Sequence, residues 1–146
     1  MKRHPVLQPL SDDHHRALIL ARRLRRTAAS DAPVDLEALA DEVRRTYEAD
    51  LAPHFAVEEE TLLPALRDAG VHALADRTLA DHVRIRALIG NAWTDATIRE
   101  LGTLLERHVR FEERELFPEA ERVLADEVLE AIGRRTAPMD RRPRRG

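Results

Sequence analysis

Residues 54–64 read HFAVEEETLLP, and residues 108–118 read HVRFEERELFP. Both fit the pattern H-x-x-x-E-E-x-x-L-[LF]-P. On a helix, His and the first Glu stand four apart and share a face, with Cβ atoms about 5–6 Å apart. A weaker pair precedes each copy, Asp13-His14 and Asp81-His82. The chain therefore runs D-H, H-x-x-x-E, D-H, H-x-x-x-E, one helix pair written twice. Two copies are too few to stack as a solenoid, so the repeat is read as lying within one bundle.

The composition agrees with helices. The chain has 146 residues, which predicts one domain able to bury a core without disulfide staples. It has five Gly, is rich in Ala, Leu, Arg and Glu, and shows no long alternating run. The absence of Cys excludes disulfides, thiolate-bound zinc, iron–sulfur clusters and thiol catalysis. The 24 basic and 27 acidic side chains give a net charge of −3, which argues against nucleic acid as a partner. Aromatic residues at 3% offer little for base stacking. The longest uninterrupted apolar run, Ala17–Ala21, is far short of the ~20 residues that span a bilayer. The opening MKRHPVLQPLSDDHH has no apolar core of a secretion signal, so a cytoplasmic location and no membrane contact are expected.

Punctuation predicts four helices, at about 11–30, 35–68, 72–89 and 94–124, with 127–135 a candidate for a short fifth. Ser11 is the expected cap of the first, Gly70 the stop of the second, and Thr97 with Glu100 a capping box in the fourth. Short connections favour an antiparallel up-down-up-down four-helix bundle over residues 8–133. Residues 134–146 hold six Arg and read as a basic, disordered tail. Pro64 and Pro118 are expected to kink or end their helices.

Helical wheels place His14 among Leu10, Ala17, Leu18, Ala21 and Leu24, with His15 turned about 100° away; the doublet leaves the choice between them open. His54 and Glu58 share a face with Val43, Tyr47 and Leu51, while Glu59 and Glu60 point elsewhere. Leu79, Ile85, Ile89 and Trp93 flank His82. His108 and Glu112 lie with Leu101, Leu104, Leu105 and Phe111, and Glu113 points to solvent. His4 and His72 have no partner pattern, and Tyr47 reads as a core Tyr or one that tunes the site. His54 and His108 lie deeper along their helices than His82 by about 4–6 residues, or ~6–9 Å. The loops or a bend near Pro64 must absorb that offset.

Each core face thus presents one His, and two also present a Glu. Buried imidazoles and carboxylates without partners are costly, and a pair of dications would compensate them. A nitrogen and carboxylate donor set without thiolate suits iron, manganese or zinc. Six ligands are too many for one four-coordinate zinc. Two His per metal with both Glu bridging is the economical arrangement and leaves open positions. The Glu-x-x-His pairs of ferritin-like bundles and the zincin His-Glu-x-x-His are absent.

Over about residues 8–125 the chain resembles the hemerythrin-like HHE cation-binding family. The resemblance is carried by Asp13-His14, His54-x-x-x-Glu58, Asp81-His82-x-x-Ile85 and His108-x-x-x-Glu112 with Leu116-Phe117-Pro118. It implies a four-helix bundle holding a non-haem di-iron centre. His14, His54, His82 and His108 would be terminal ligands, and Glu58 and Glu112 would bridge. Oxygen-carrying hemerythrins have a His-x-x-x-His pair on the third helix. Here Thr78 and Arg86 stand four residues either side of His82, which weighs against reversible oxygen carriage. Iron–sulfur repair members use a Cys-bearing segment, and this chain has no Cys.

The resemblance implies two iron ions, with manganese or zinc also admissible, and a protein that binds or senses dioxygen, nitric oxide or peroxide. The alternatives are a di-iron redox enzyme acting on the same molecules through an unknown redox partner, and a structural bundle without metal.

Overall fold

The computed structural model describes residues 2–141, which are all-helical, with no strand among them. The helices are α1 (Gln8–Ala29), α2 (Leu36–Thr46), α3 (Ala52–Val57), α4 (Leu63–Asp68), α5 (Ala73–Gly90), α6 (Asp95–Phe111), α7 (Phe117–Val123) and α8 (Asp126–Thr136). Wide π-turns at Tyr47–Leu51 and Glu58–Leu62 join α2, α3 and α4 into one rod, and a third at Glu112–Leu116 joins α6 to α7. Four long rods and the shorter α8 result. Among the described residues, no helix is long and apolar enough to cross a membrane.

The π-turns explain why Pro64 and Pro118, expected to kink or end their helices, do not end them. Pro53, Pro64 and Pro118 are each the second residue of the segment that follows a π-turn. A proline in a helix lacks the N–H and collides with the carbonyl four residues back. A turn one residue wider moves that carbonyl aside, so each rod continues.

Other ends differ in detail from the sequence expectation. Helix α1 starts at Gln8 with Pro9 in its first turn, and Ser11 is not its cap. Asp35 caps α2, its side chain accepting from the Ala38 N–H at 3.0 Å. The capping box of α6 is Thr94 with Thr97, while Glu100 pairs with Arg84. Gly70 adopts φ +85° after α4, and Val71 N–H reaches the Leu66 carbonyl at 2.8 Å, a left-handed stop that favours glycine. Leu79, expected beside His82, is exposed. The expected tail is corrected at its start: residues 134–136 are the last turn of α8, and Ala137–Arg141 form a 3₁₀ turn. Thr136 is buried and donates to the Val6 carbonyl at 2.7 Å, tying α8 to the N-terminal arm. Residues 142–146 of that tail lie outside the described residues.

Two apolar clusters fill the interior. One gathers Leu24, Val43, Phe55, Ile85, Leu101 and Leu105; the other gathers Leu10, Leu62, Leu66, Leu116, Phe117 and Ile132. On each long rod the polar residues of the repeat fall at the junction between them. Rods α1 and α6 pack tightly at Gly102, where an added Cβ would lie 3.1 Å from the Leu24 Cβ and 3.2 Å from the Ala21 carbonyl oxygen. That backbone oxygen has no freedom to yield. Gly102→Ala should therefore lose roughly 1–3 kcal/mol by overpacking, outweighing the ~1 kcal/mol that Ala gains in helix propensity. Chemical denaturation checks the sign.

Candidate metal centre

All six residues singled out by the repeat come together. His14 lies on α1, His54 on α3, His82 on α5 and His108 on α6, with Glu58 and Glu112 opening the second and third π-turns. All six are buried. They form two groups, His14, His54, Glu58 and Glu112, and Glu58, His82, His108 and Glu112; within each, one ligand atom per residue lies within 4.8 Å of the others. Both glutamates belong to both groups. His14 is buried and His15 exposed, the orientation that the wheel draws for them.

Every Nε2 faces inward. His14 Nε2 is 2.7 Å from Glu112, and His54 Nε2 is 3.1 Å from Glu58 and 3.4 Å from Glu112. His82 Nε2 is 3.1 Å from Glu58, and His108 Nε2 is 3.2 Å from Glu112. Four of these inward atoms, Glu58 Oε1, Glu112 Oε2, His82 Nε2 and His108 Nε2, are buried without a hydrogen-bond partner of proper geometry. Buried polar atoms are rarely left so. Lone pairs of nitrogen and carboxylate oxygen converging on one another are a donor set suited to a cation.

Every Nδ1 meets a second carboxylate. Asp13 lies 3.2 Å from His54 Nδ1, and Asp81 lies 2.8 Å from His108 Nδ1. Glu113 lies 2.6 Å from His14 Nδ1, and Glu59 lies 2.6 Å from His82 Nδ1. The arrangement repeats in both halves of the chain. Wheels sent Glu59 and Glu113 away from the site; both instead reach the histidine of a neighbouring rod. The signal was the second Glu of each doublet. A single-helix wheel misses it because the π-turn rotates the residues that follow. Glu60, by contrast, pairs with Arg135 on the surface. Ser11, the expected cap, donates to Glu113 at 2.7 Å.

Two phenylalanines back the histidines. Phe55 stacks on His82 at 3.7 Å between centroids, and Phe117 lies parallel to His14 at 5.4 Å. Arg86 lies over Phe55 and binds Glu59 at 2.8 Å; Arg3 lies over Phe117 and binds Glu113 at 3.2 Å. Thr78 does not face the site as a donor: its hydroxyl bonds the Leu74 carbonyl at 2.8 Å. A small enclosed cavity borders His14, His54 and His108, walled by Ala17, Leu51, Phe55, Leu105 and Val109, with room for about one water-sized molecule. The larger groove between α1 and α2 that takes in His15 contains none of the six residues.

The charges are set by these contacts. Burial opposes protonation of His108, but Glu112 and the hydrogen bond that its Nδ1–H donates to Asp81 outweigh it and raise its pKa to about 10. His54 is likewise held well above the usual imidazole range against its burial, chiefly by Glu58, Asp13 and Glu112. His14 is raised by Glu112 and Glu113, again against burial. Burial pushes the Glu112 carboxyl up, yet His108, His14 and His54 hold it well below the ordinary carboxylate range. Without a cation, the site neutralises itself with protons.

Outer carboxylates of this kind fix ring orientation and ligand basicity. Glu113→Gln or Asp81→Asn should weaken metal affinity about 10–100-fold while leaving the fold intact. Competition with a chelator, alongside far-UV circular dichroism, checks both parts.

The family model described as the hemerythrin HHE cation binding domain matches residues 6–120. No curated protein and no solved structure matches the chain.

Proposed function

Because the chain belongs to the hemerythrin HHE cation-binding family, we propose that it is a non-haem di-iron protein that binds or senses dioxygen, nitric oxide or peroxide. His14 and His54 would hold one ion, His82 and His108 the other, and Glu58 and Glu112 would bridge them. The observation that carries this reading is the sharing of both glutamates by the two buried four-residue groups. The same donors accept manganese or zinc, and iron is the metal proposed. When bound, the ions supply open coordination positions and redox chemistry.

The chain's own residues do the rest. Asp13, Asp81, Glu59 and Glu113 orient the four rings through Nδ1. The apolar cavity wall admits only a small molecule and excludes bulk water. The fold proposed is an antiparallel up-down-up-down four-helix bundle with α8 packed across one end. Supporting it, Arg3 pairs with Glu121, His14 with Glu112 and Arg25 with Glu106, while Arg67 pairs with Asp76 and Arg84 with Glu100.

Optical spectra of the ferrous-loaded protein test the ligand. A stable spectroscopic adduct with nitric oxide, dioxygen or peroxide, formed without turnover, is the expected result. Irreversible bleaching or steady consumption of peroxide would favour the redox enzyme, a reading supported by the single oxidisable Tyr47 one ring away from His82. A chain that takes up no metal would be a structural bundle.

A further inference from the structure

We infer that Tyr47 is the residue through which oxidising equivalents leave the centre. It gives up one electron and its phenolic proton when a peroxide meets a centre with a single ferrous ion to oxidise. The inference rests on the di-iron reading of the site. The chain has one Tyr, one Trp and no Cys, so it holds few readily oxidised side chains. Tyr47 is the one joined to the site. Its ring meets Phe55 edge-on at 6.1 Å between centroids. Phe55 in turn stacks on His82 at 3.7 Å and lies edge-on to His108 at 6.0 Å and His54 at 6.2 Å. One ring therefore separates Tyr47 from three of the four histidines.

A second link runs through hydrogen bonds. Arg86 Nε donates to the Tyr47 hydroxyl oxygen at 3.0 Å, Arg86 Nη2 binds Glu59 at 2.8 Å, and Glu59 meets His82 Nδ1 at 2.6 Å. Arg86 is a donor only and cannot take the phenolic proton. It holds the oxygen in place while that proton passes to water, which the half-buried Tyr47 can reach. The matching cluster at His14 has the same stacked Phe117, Arg3 and Glu113, while the one Tyr of the chain lies against Phe55 on the His82 side. The oxidisable ring thus belongs to one side of the centre.

The step balances. The O–O bond of hydrogen peroxide breaks, and both oxygens leave as water. One electron would come from a bound ferrous ion, leaving it ferric, and one from Tyr47, whose O–H bond breaks. One further proton is taken from solvent beyond the one that Tyr47 releases. Were both ions ferrous, they would supply both electrons and Tyr47 would be spared.

The test uses the full chain loaded with iron, half-oxidised, mixed with hydrogen peroxide and frozen for electron paramagnetic resonance, followed by peptide mass spectrometry. A tyrosyl signal and oxidation at Tyr47 are expected. Both should be lost in Tyr47→Phe at equal iron content, fall several-fold in Phe55→Leu, and be missing in metal-free protein. Peroxide consumption with Tyr47 unmodified, oxidation at Trp93 in its place, or an unchanged signal in Tyr47→Phe would overturn the inference and leave the di-iron reading standing. A chain that retains no iron would overturn both.

Discussion

Replacing both shared carboxylates, Glu58→Gln with Glu112→Gln, is expected to strip the protein of stoichiometric iron. Each glutamate reaches both halves of the centre, so each substitution removes a charged donor from both groups. An amide keeps the size and loses the charge that compensates a dication. The four imidazoles that remain have no bridge to hold two ions side by side. Loss of a ligand that binds only the folded state also lowers stability, by roughly 2.7 kcal/mol where metal is present at 100 times its Kd. For a domain of this size that is a fall in Tm of about 5–11 °C. The gap in stability between the parent and the double variant should be larger with iron than without it by this amount. The metal-free comparison isolates the packing cost of two buried amides. Full metal content in the double variant would remove Glu58 and Glu112 from the ligand set.

Raising the pH should tighten metal binding steeply and loosen the metal-free fold, two opposite trends in one protein. In the metal-free form His14, His54 and His108 are held protonated above the ordinary imidazole pKa of 6.5, His108 to about 10. A metal must displace those protons, so its affinity rises by about a decade per pH unit for each proton released. For metal-free stability the sign is the reverse. A histidine whose folded pKa is raised contributes stability that is fully present below its unfolded value, near 6.5, and is lost as pH climbs through its folded value. Glu112, held low, contributes above its unfolded value of 4.5 and loses that contribution in acid. The metal-free protein should therefore be most stable between about pH 4.5 and 6.5 and weaken toward pH 10. Denaturant melts of the two forms across that range, with proton release on loading followed by a pH indicator, check both slopes. A metal-free stability that climbs from pH 6.5 to 10 would contradict the charge assignment.

Much of the architecture was legible because the repeat carries its own register. Spacing of four between His54 and Glu58, and between His108 and Glu112, demands helices and a shared face, and the structure has both. The choice of His14 over His15 followed from the apolar residues around it. What a wheel for one helix cannot show is a contact made from a neighbouring rod. Asp13 serves His54 rather than its neighbour His14, and Glu113 serves His14 rather than His108. Those assignments depend on how rods pack and on π-turns that shift the face after Glu58 and Glu112. The prolines were visible, but their consequence was not: a widened turn costs less than a broken helix when both flanking segments are packed. Thr136 likewise reads as part of a basic tail by composition, yet its buried hydroxyl, bonded to Val6, closes the C-terminal helix over the arm.

Elemental analysis of freshly purified, untagged protein tests the central claim most directly. Two buried groups that share both glutamates predict about two iron ions per chain. A chain that holds no metal, even after anaerobic addition of ferrous iron, would contradict that account and leave a bundle whose polar interior is held by protons alone.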